Sequence, residues 1–92
     1  MPTKTQYMLI ENGTTRDSFW PGGEGTFHVV GTLGSAKVVL ERLGPDEQTW
    51  SPVTSLDAPG MINFSLGASN LRARVDGSGS SGLYAVVAGT SR

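Results

Sequence analysis

Chain breakers recur along this sequence at intervals too short for a three-turn helix. They fall at Asn12-Gly13, Pro21-Gly22-Gly23, Gly34-Ser35, Gly44-Pro45-Asp46, Pro59-Gly60, Gly67 and the run Gly77 to Gly82. Between them lie runs of five to eight residues rich in Val, Leu, Ile, Phe and Tyr. Short apolar runs between evenly spaced turns specify strands, and no window carries a 3.6-residue period. The fold expected is all-β: one small antiparallel β-sandwich or barrel of about seven short strands, with an amino-terminal arm.

The strands are expected near Tyr7–Glu11, Thr26–Gly31, Ala36–Leu43, Thr49–Thr54, Met61–Leu66, Leu71–Asp76 and Leu83–Ala88. Side chains alternate across a strand, so the apolar positions name the core face. Phe27 and Val29 oppose Thr26, His28 and Val30, and Val38 and Leu40 oppose Lys37, Val39 and Glu41. Ile62, Phe64 and Leu66 oppose Met61, Asn63 and Ser65, while Leu71, Ala73 and Val75 oppose Arg72, Arg74 and Asp76. Two runs break the rule. Tyr7-Met8-Leu9-Ile10 and Leu83 to Ala88 are apolar on both faces. Such strands are covered on both sides, by a second copy of the chain or by loops such as Phe19-Trp20-Pro21.

The chain divides by composition. Residues 1–24 are polar and turn-rich around Tyr7–Ile10, and read as an arm or as a first strand plus a long loop. Residues 25–92 read as the β-sandwich domain. The opening Met-Pro-Thr-Lys-Thr-Gln has no apolar h-region and no run approaches a bilayer span, so neither a secretory signal nor a membrane partner is expected.

Charge and cysteine narrow the function classes. Seven Lys and Arg against eight Asp and Glu leave a net charge of −1, which argues against neutralising nucleic-acid phosphates. The chain has no cysteine, which excludes disulfides, thiolate metal sites and cysteine nucleophiles. A core this small then rests on packing alone, and association with other copies is a common supplement.

Chemistry-bearing motifs are sparse, and no catalytic or metal-ligating residue and no cofactor is expected. Gly77 to Gly82 matches G-x-G-x-x-G, but a strand follows where a dinucleotide site needs a helix N-terminus. His28 is the single histidine, placed mid-strand with no neighbour at ligand spacing. The carboxylates stand mostly in or beside turns, where they serve local hydrogen bonding. Asp46-Glu47-Gln48-Thr49-Trp50 is similar to the hairpin box of sialidases, but lacks its glycine and has one residue fewer between Asp and Thr. Such a hairpin is structural, with Trp50 capping an edge of the core. Trp20 and Trp50 could form a sugar-stacking platform or cover the core. Arg72 and Arg74 share a strand face about 7 Å apart and suit salt bridges at a subunit contact. Asn12-Gly13-Thr14 and Asn63-Phe64-Ser65 fit the glycosylation sequon and, with no secretory signal expected, are expected to be idle.

One wider resemblance covers about two thirds of the chain, Gly25 to Ala88. It is carried by Gly34-x-x-x-Val38-x-Leu40, by Gly44-Pro45-Asp46 with Trp50 and Val53, by Ala58-Pro59-Gly60, by Phe64-x-Leu66 and by Leu71-Arg72-Ala73. In these positions the sequence resembles small β-rich structural proteins of tailed bacteriophages, some of which resemble capsid decoration, or cement, proteins. The resemblance implies a virion protein, made in the host cytoplasm, whose partners are the major capsid protein of a phage head and further copies of itself as a dimer or trimer. Other phage parts (a head fibre base, a tail component or an adhesin module) and a carbohydrate- or protein-binding module remain open. Under the capsid reading, Tyr7, Leu9, Phe19 and Trp20 are the expected capsid contacts. Arg72, Arg74, Tyr84 and Val86 are the expected subunit contacts.

Overall fold

The computed structural model describes residues 3–91, with side chains placed for residues 6–89. Met1, Pro2 and Arg92 of the two expected segments lie outside the described residues. The described residues form β1 (Thr3–Glu11), β2 (Thr14–Thr15), β3 (Asp17–Trp20), β4 (Gly23–Thr32), β5 (Lys37–Leu43), β6 (Trp50–Leu56), β7 (Gly60–Leu66), β8 (Ser69–Asp76) and β9 (Ser81–Ser91), with no helix among them. Two antiparallel sheets stack face to face, a five-stranded sheet in the order β2-β1-β9-β4-β7 and a four-stranded sheet in the order β3-β8-β5-β6. The all-β sandwich expected from the turn spacing is the fold observed, with two more strands than the spacing indicates.

Both extra strands come from the segment read as an arm or a long loop. Asn12 and Gly13 adopt positive φ, 49° and 85°, and make the two-residue turn that pairs Glu11 with Thr14. The chain then crosses to the other sheet, where Asp17–Trp20 pairs with Ser69–Arg72 along β8. Residues 3–20 therefore contribute to both sheets, and Leu9, Ile10 and Trp20 are buried between them. Nothing here projects as an arm, because these three apolar side chains complete the core.

The core is the alternation written in the sequence. Phe27, Val29, Leu83, Ala85 and Val87 from one sheet meet Val38, Leu40, Leu71 and Ala73 from the other, and all are nearly or fully buried. Trp20 fits between the sheets because the facing sheet offers a glycine pair, Gly25 opposite Gly89. A Cβ on Gly25 would lie 2.6 Å from the indole Cη2, and one on Gly89 would lie 3.0 Å from it. The indole also packs on Phe64 (centroids 5.1 Å apart) and against the edge of Tyr7 (6.0 Å).

The ladders carry three register shifts, the third between Val30 and Thr32 in β4–β9, and the other two alter the faces of residues singled out in the sequence. A register shift in β1 between Met8 and Ile10 turns both Leu9 and Ile10 inward, so Met8 alone of that run faces out. A shift in β5–β6 pairing, between Leu40 and Glu41, reverses the parity of β6 beyond Val53. Trp50 consequently lies on the outside of the four-stranded sheet and does not cap the core edge. β9 carries apolar residues on both faces along its length, with Tyr84, Val86 and Ala88 turned outward.

Candidate functional site

The outer face of the five-stranded sheet is its most apolar open surface. Register places Met8, Val86, His28 and Met61 in one row across β1, β9, β4 and β7. In the adjoining row Tyr84 stands between Val30 on β4 and Glu11 on β1, whose carboxylate pairs with Arg16. Met61 is 66% exposed, Val30 42% and Tyr84 40%, well above what a sheet face covered by its own loops would retain. The loop reading is corrected here: Phe19 lies on the other sheet, and Trp20 is in the core. No described segment lies over this face.

His28 sits at the centre of the row, and its cross-strand partners are Val86 and Met61, neither a carboxylate nor a nucleophile. Beside it, Thr26 Oγ1 donates to Asn63 Oδ1 at 2.9 Å, tying β4 to the edge strand β7. Among the described residues no three His, Asp or Glu side chains converge as metal ligands would.

The outer face of the four-stranded sheet has a different chemistry. Glu41 is buried there, receiving Arg72 Nε on one carboxylate oxygen at 2.8 Å and Arg74 Nε on the other at 3.3 Å. The guanidinium of Arg72 also stacks 4.3 Å above the Trp50 ring. Arg72 and Arg74 are thus engaged within the subunit, by a carboxylate that strand alternation alone assigned to solvent. A shallow groove runs beside this cluster, lined by Asp17, Phe19, Leu43, Trp50 and Asn70. Phe19 is 58% exposed at its rim.

The expected contact residues therefore separate. Of the expected capsid contacts, Leu9 and Trp20 are 0% and 2% exposed, so no partner reaches them without opening the sandwich. Tyr7 is half-buried against Trp20, and Phe19 alone is freely exposed. Of the expected subunit contacts, Tyr84 and Val86 belong to the outside of one sheet, and Arg72 and Arg74 to the outside of the other. One flat contact cannot use all four. The two tryptophans do not share a platform either, since Trp20 is internal and Trp50 external. Met8, Val30 and Met61 were missed as surface residues to name, although alternation already turned Val30 and Met61 outward.

Fold and surfaces together define a two-sheet antiparallel β-sandwich with one open apolar face and one ion-paired face. No protein-family model and no curated protein matches the sequence.

Proposed function

We propose that this chain is a virion structural protein, a decoration protein that binds the outside of a bacteriophage head and stabilises it by repeated contacts. One observation carries the reading: the open face built by Met8, Val30, Met61 and Tyr84 around His28. Exposed apolar side chains grouped on one face point to a contact surface, where the same residues scattered singly would not. The molecule's shape supports it as well, a slab with Cα extents of 37 × 36 × 18 Å that presents broad faces to a surface. Contact by this face needs no chemistry from the chain, and the role proposed is non-catalytic. Individually weak contacts become strong when symmetry repeats them over a shell. On this reading the capsid contact passes from Leu9 and Trp20 to Met8, Val30, Met61 and Tyr84.

Co-sedimentation tests the proposal. Purified chain is mixed with expanded, emptied heads and with detached tails of the source phage. Saturable binding to heads, weakened by Met61→Glu combined with Tyr84→Glu, is the expected result. Binding to tails alone, or to neither, contradicts it.

The groove between Phe19 and Trp50 favours a second reading, a carbohydrate-binding module. An exposed aromatic and a half-buried one flank the polar Asp17 and Asn70, as sugar stacking with hydrogen bonding requires. Glycan-array binding that Trp50→Ala abolishes would favour it, and an array without signal removes it.

A further inference from the structure

We propose that two copies of this chain join edge to edge through β7, Gly60–Leu66, about a two-fold axis at Asn63, so that their five-stranded sheets become one continuous sheet. Free sheet edges invite pairing with another chain, and folded proteins guard them with charge, proline, bulges or brevity. The other free edges are guarded. β2 is two residues long and covers only Ile10 and Glu11 of β1, whose remaining edge carries Lys4 and the bulge at Leu9. β3 likewise leaves the end of β8 uncovered, where Arg74 and Asp76 bring charge. β3 has four residues, begins at Asp17 and runs into Pro21. β6 carries Pro52 and lies beside the bulge at Val53.

β7 has none of these devices within the strand, and Pro59 adjoins only its first residue. Its seven residues, Gly-Met-Ile-Asn-Phe-Ser-Leu, include no charge and no proline. It pairs with β4 through seven successive positions without a register shift, so the strand is regular to its end. Among the described residues no other segment forms a backbone hydrogen bond along its outer edge. Met61 and Ile62 beside that edge are 66% and 36% exposed.

The sequence of β7 favours a second copy as the occupant. A two-fold axis pairs like strands antiparallel, and each charge would meet its own image; β7 carries none. With the axis at Asn63, Ile62 falls opposite Phe64 of the second copy and Gly60 opposite its Leu66. All four belong to core-facing positions, so both cores extend across the join without a slip that would flip faces. Small Gly60 against large Leu66 leaves room at each end. Met61 falls opposite Ser65 on the outer side. Asn63 meets Asn63 on the axis; Thr26 uses one lone pair of each Oδ1, and the second is free to accept an amide N–H of the other copy.

The absence of cysteine makes a direct test possible. Residues directly opposed across an antiparallel pair have Cα atoms about 4.5–5.5 Å apart, within disulfide reach. Asn63→Cys is therefore expected to cross-link two copies under mild oxidation, while Tyr84→Cys on the sheet face remains uncross-linked. Sedimentation velocity of the wild-type chain is expected to give a dimer. Asn63→Lys, which places two like charges on the axis, is expected to weaken that dimer by about tenfold or more while circular dichroism stays unchanged. A monomeric wild-type chain, a dimer that Asn63→Lys leaves intact, or a failure of Asn63→Cys to cross-link each overturns the proposal. The interface is independent of capsid binding, since either measurement can succeed without the other.

Discussion

Asp46 receives three hydrogen bonds in the β5–β6 turn: from the Thr49 hydroxyl at 2.6 Å, the Thr49 amide at 2.9 Å and the Gln48 amide at 3.1 Å. All favour the charged carboxylate, and the Thr49 hydroxyl contributes most to lowering its pKa from 3.8 to about 2. A carboxyl depressed on folding stabilises the folded state above its unfolded pKa, and that contribution is lost as pH falls through the folded value. The turn is thus expected to hold fully above pH 3.8 and to loosen on acidification toward pH 2. In an NMR titration, Thr49→Val should move the Asp46 midpoint upward toward 3.8; an unmoved midpoint contradicts the assignment. The core has its own sensitive residue. Gly25 faces Trp20 with no room for a methyl group, so Gly25→Val should destabilise by about 1–3 kcal/mol in denaturant unfolding. A neutral result would mean that Trp20 does not pack where described.

At the scale of the strand, the Glu41 cluster predicts an asymmetry. Glu41 is 7% exposed at its side chain, whereas Arg72 and Arg74 are 34% and 45% exposed. Deprived of Glu41, the arginines can turn to water, so Glu41→Gln should cost about 1 kcal/mol or less. Replacing both arginines with methionine strands a buried carboxylate and should cost more, about 2–3 kcal/mol. Equal costs would contradict the burial of Glu41. A second test concerns residues 1–20, which supply three strands: the chain 21–92 should fail to fold cooperatively, because Leu9, Ile10 and Trp20 leave the core with it. A cooperative melt of that fragment would restore the arm reading. The strands of the 25–92 region were legible because turn residues bound them and apolar residues alternate within them. The hairpin to β2 had its own signal, Asn12-Gly13, but the two residues after it are too short and polar to read as a strand. β3 has a mixed pattern, Asp-Ser-Phe-Trp, that becomes a strand only through pairing with β8. Bulges leave no mark in single-sequence alternation, which is why Trp50 was expected to cap the core edge and why Ile10 could not be separated from Met8. Glu41 was legible as outward-facing, but its burial depends on arginines more than thirty positions away, close only across the sheet.

The whole molecule is organised by pairings between distant segments. β1 pairs with β9 from Thr3 opposite Ser91 onward, so the ends of the described chain lie side by side. Such non-local topology predicts refolding in roughly milliseconds to seconds, and microsecond refolding in a stopped-flow or temperature-jump experiment would contradict it. The radius of gyration, 12.7 Å, is close to the roughly 12 Å expected for a compact chain of this length. The thin slab has one face organised by ion pairs, with Phe19 exposed beside them, and the other carrying Met8, Val30, Met61 and Tyr84 in the open. That asymmetry is the basis for assigning the open face to a partner surface. For the proposed virion role, cryo-electron microscopy of phage heads incubated with the purified chain tests the assignment most directly. The account predicts density for this chain on the head shell, with Met8, Val30, Met61 and Tyr84 against the capsid subunits. Density absent from the head, or a chain held to it through Phe19 and Trp50 with the apolar face turned to solvent, would contradict it.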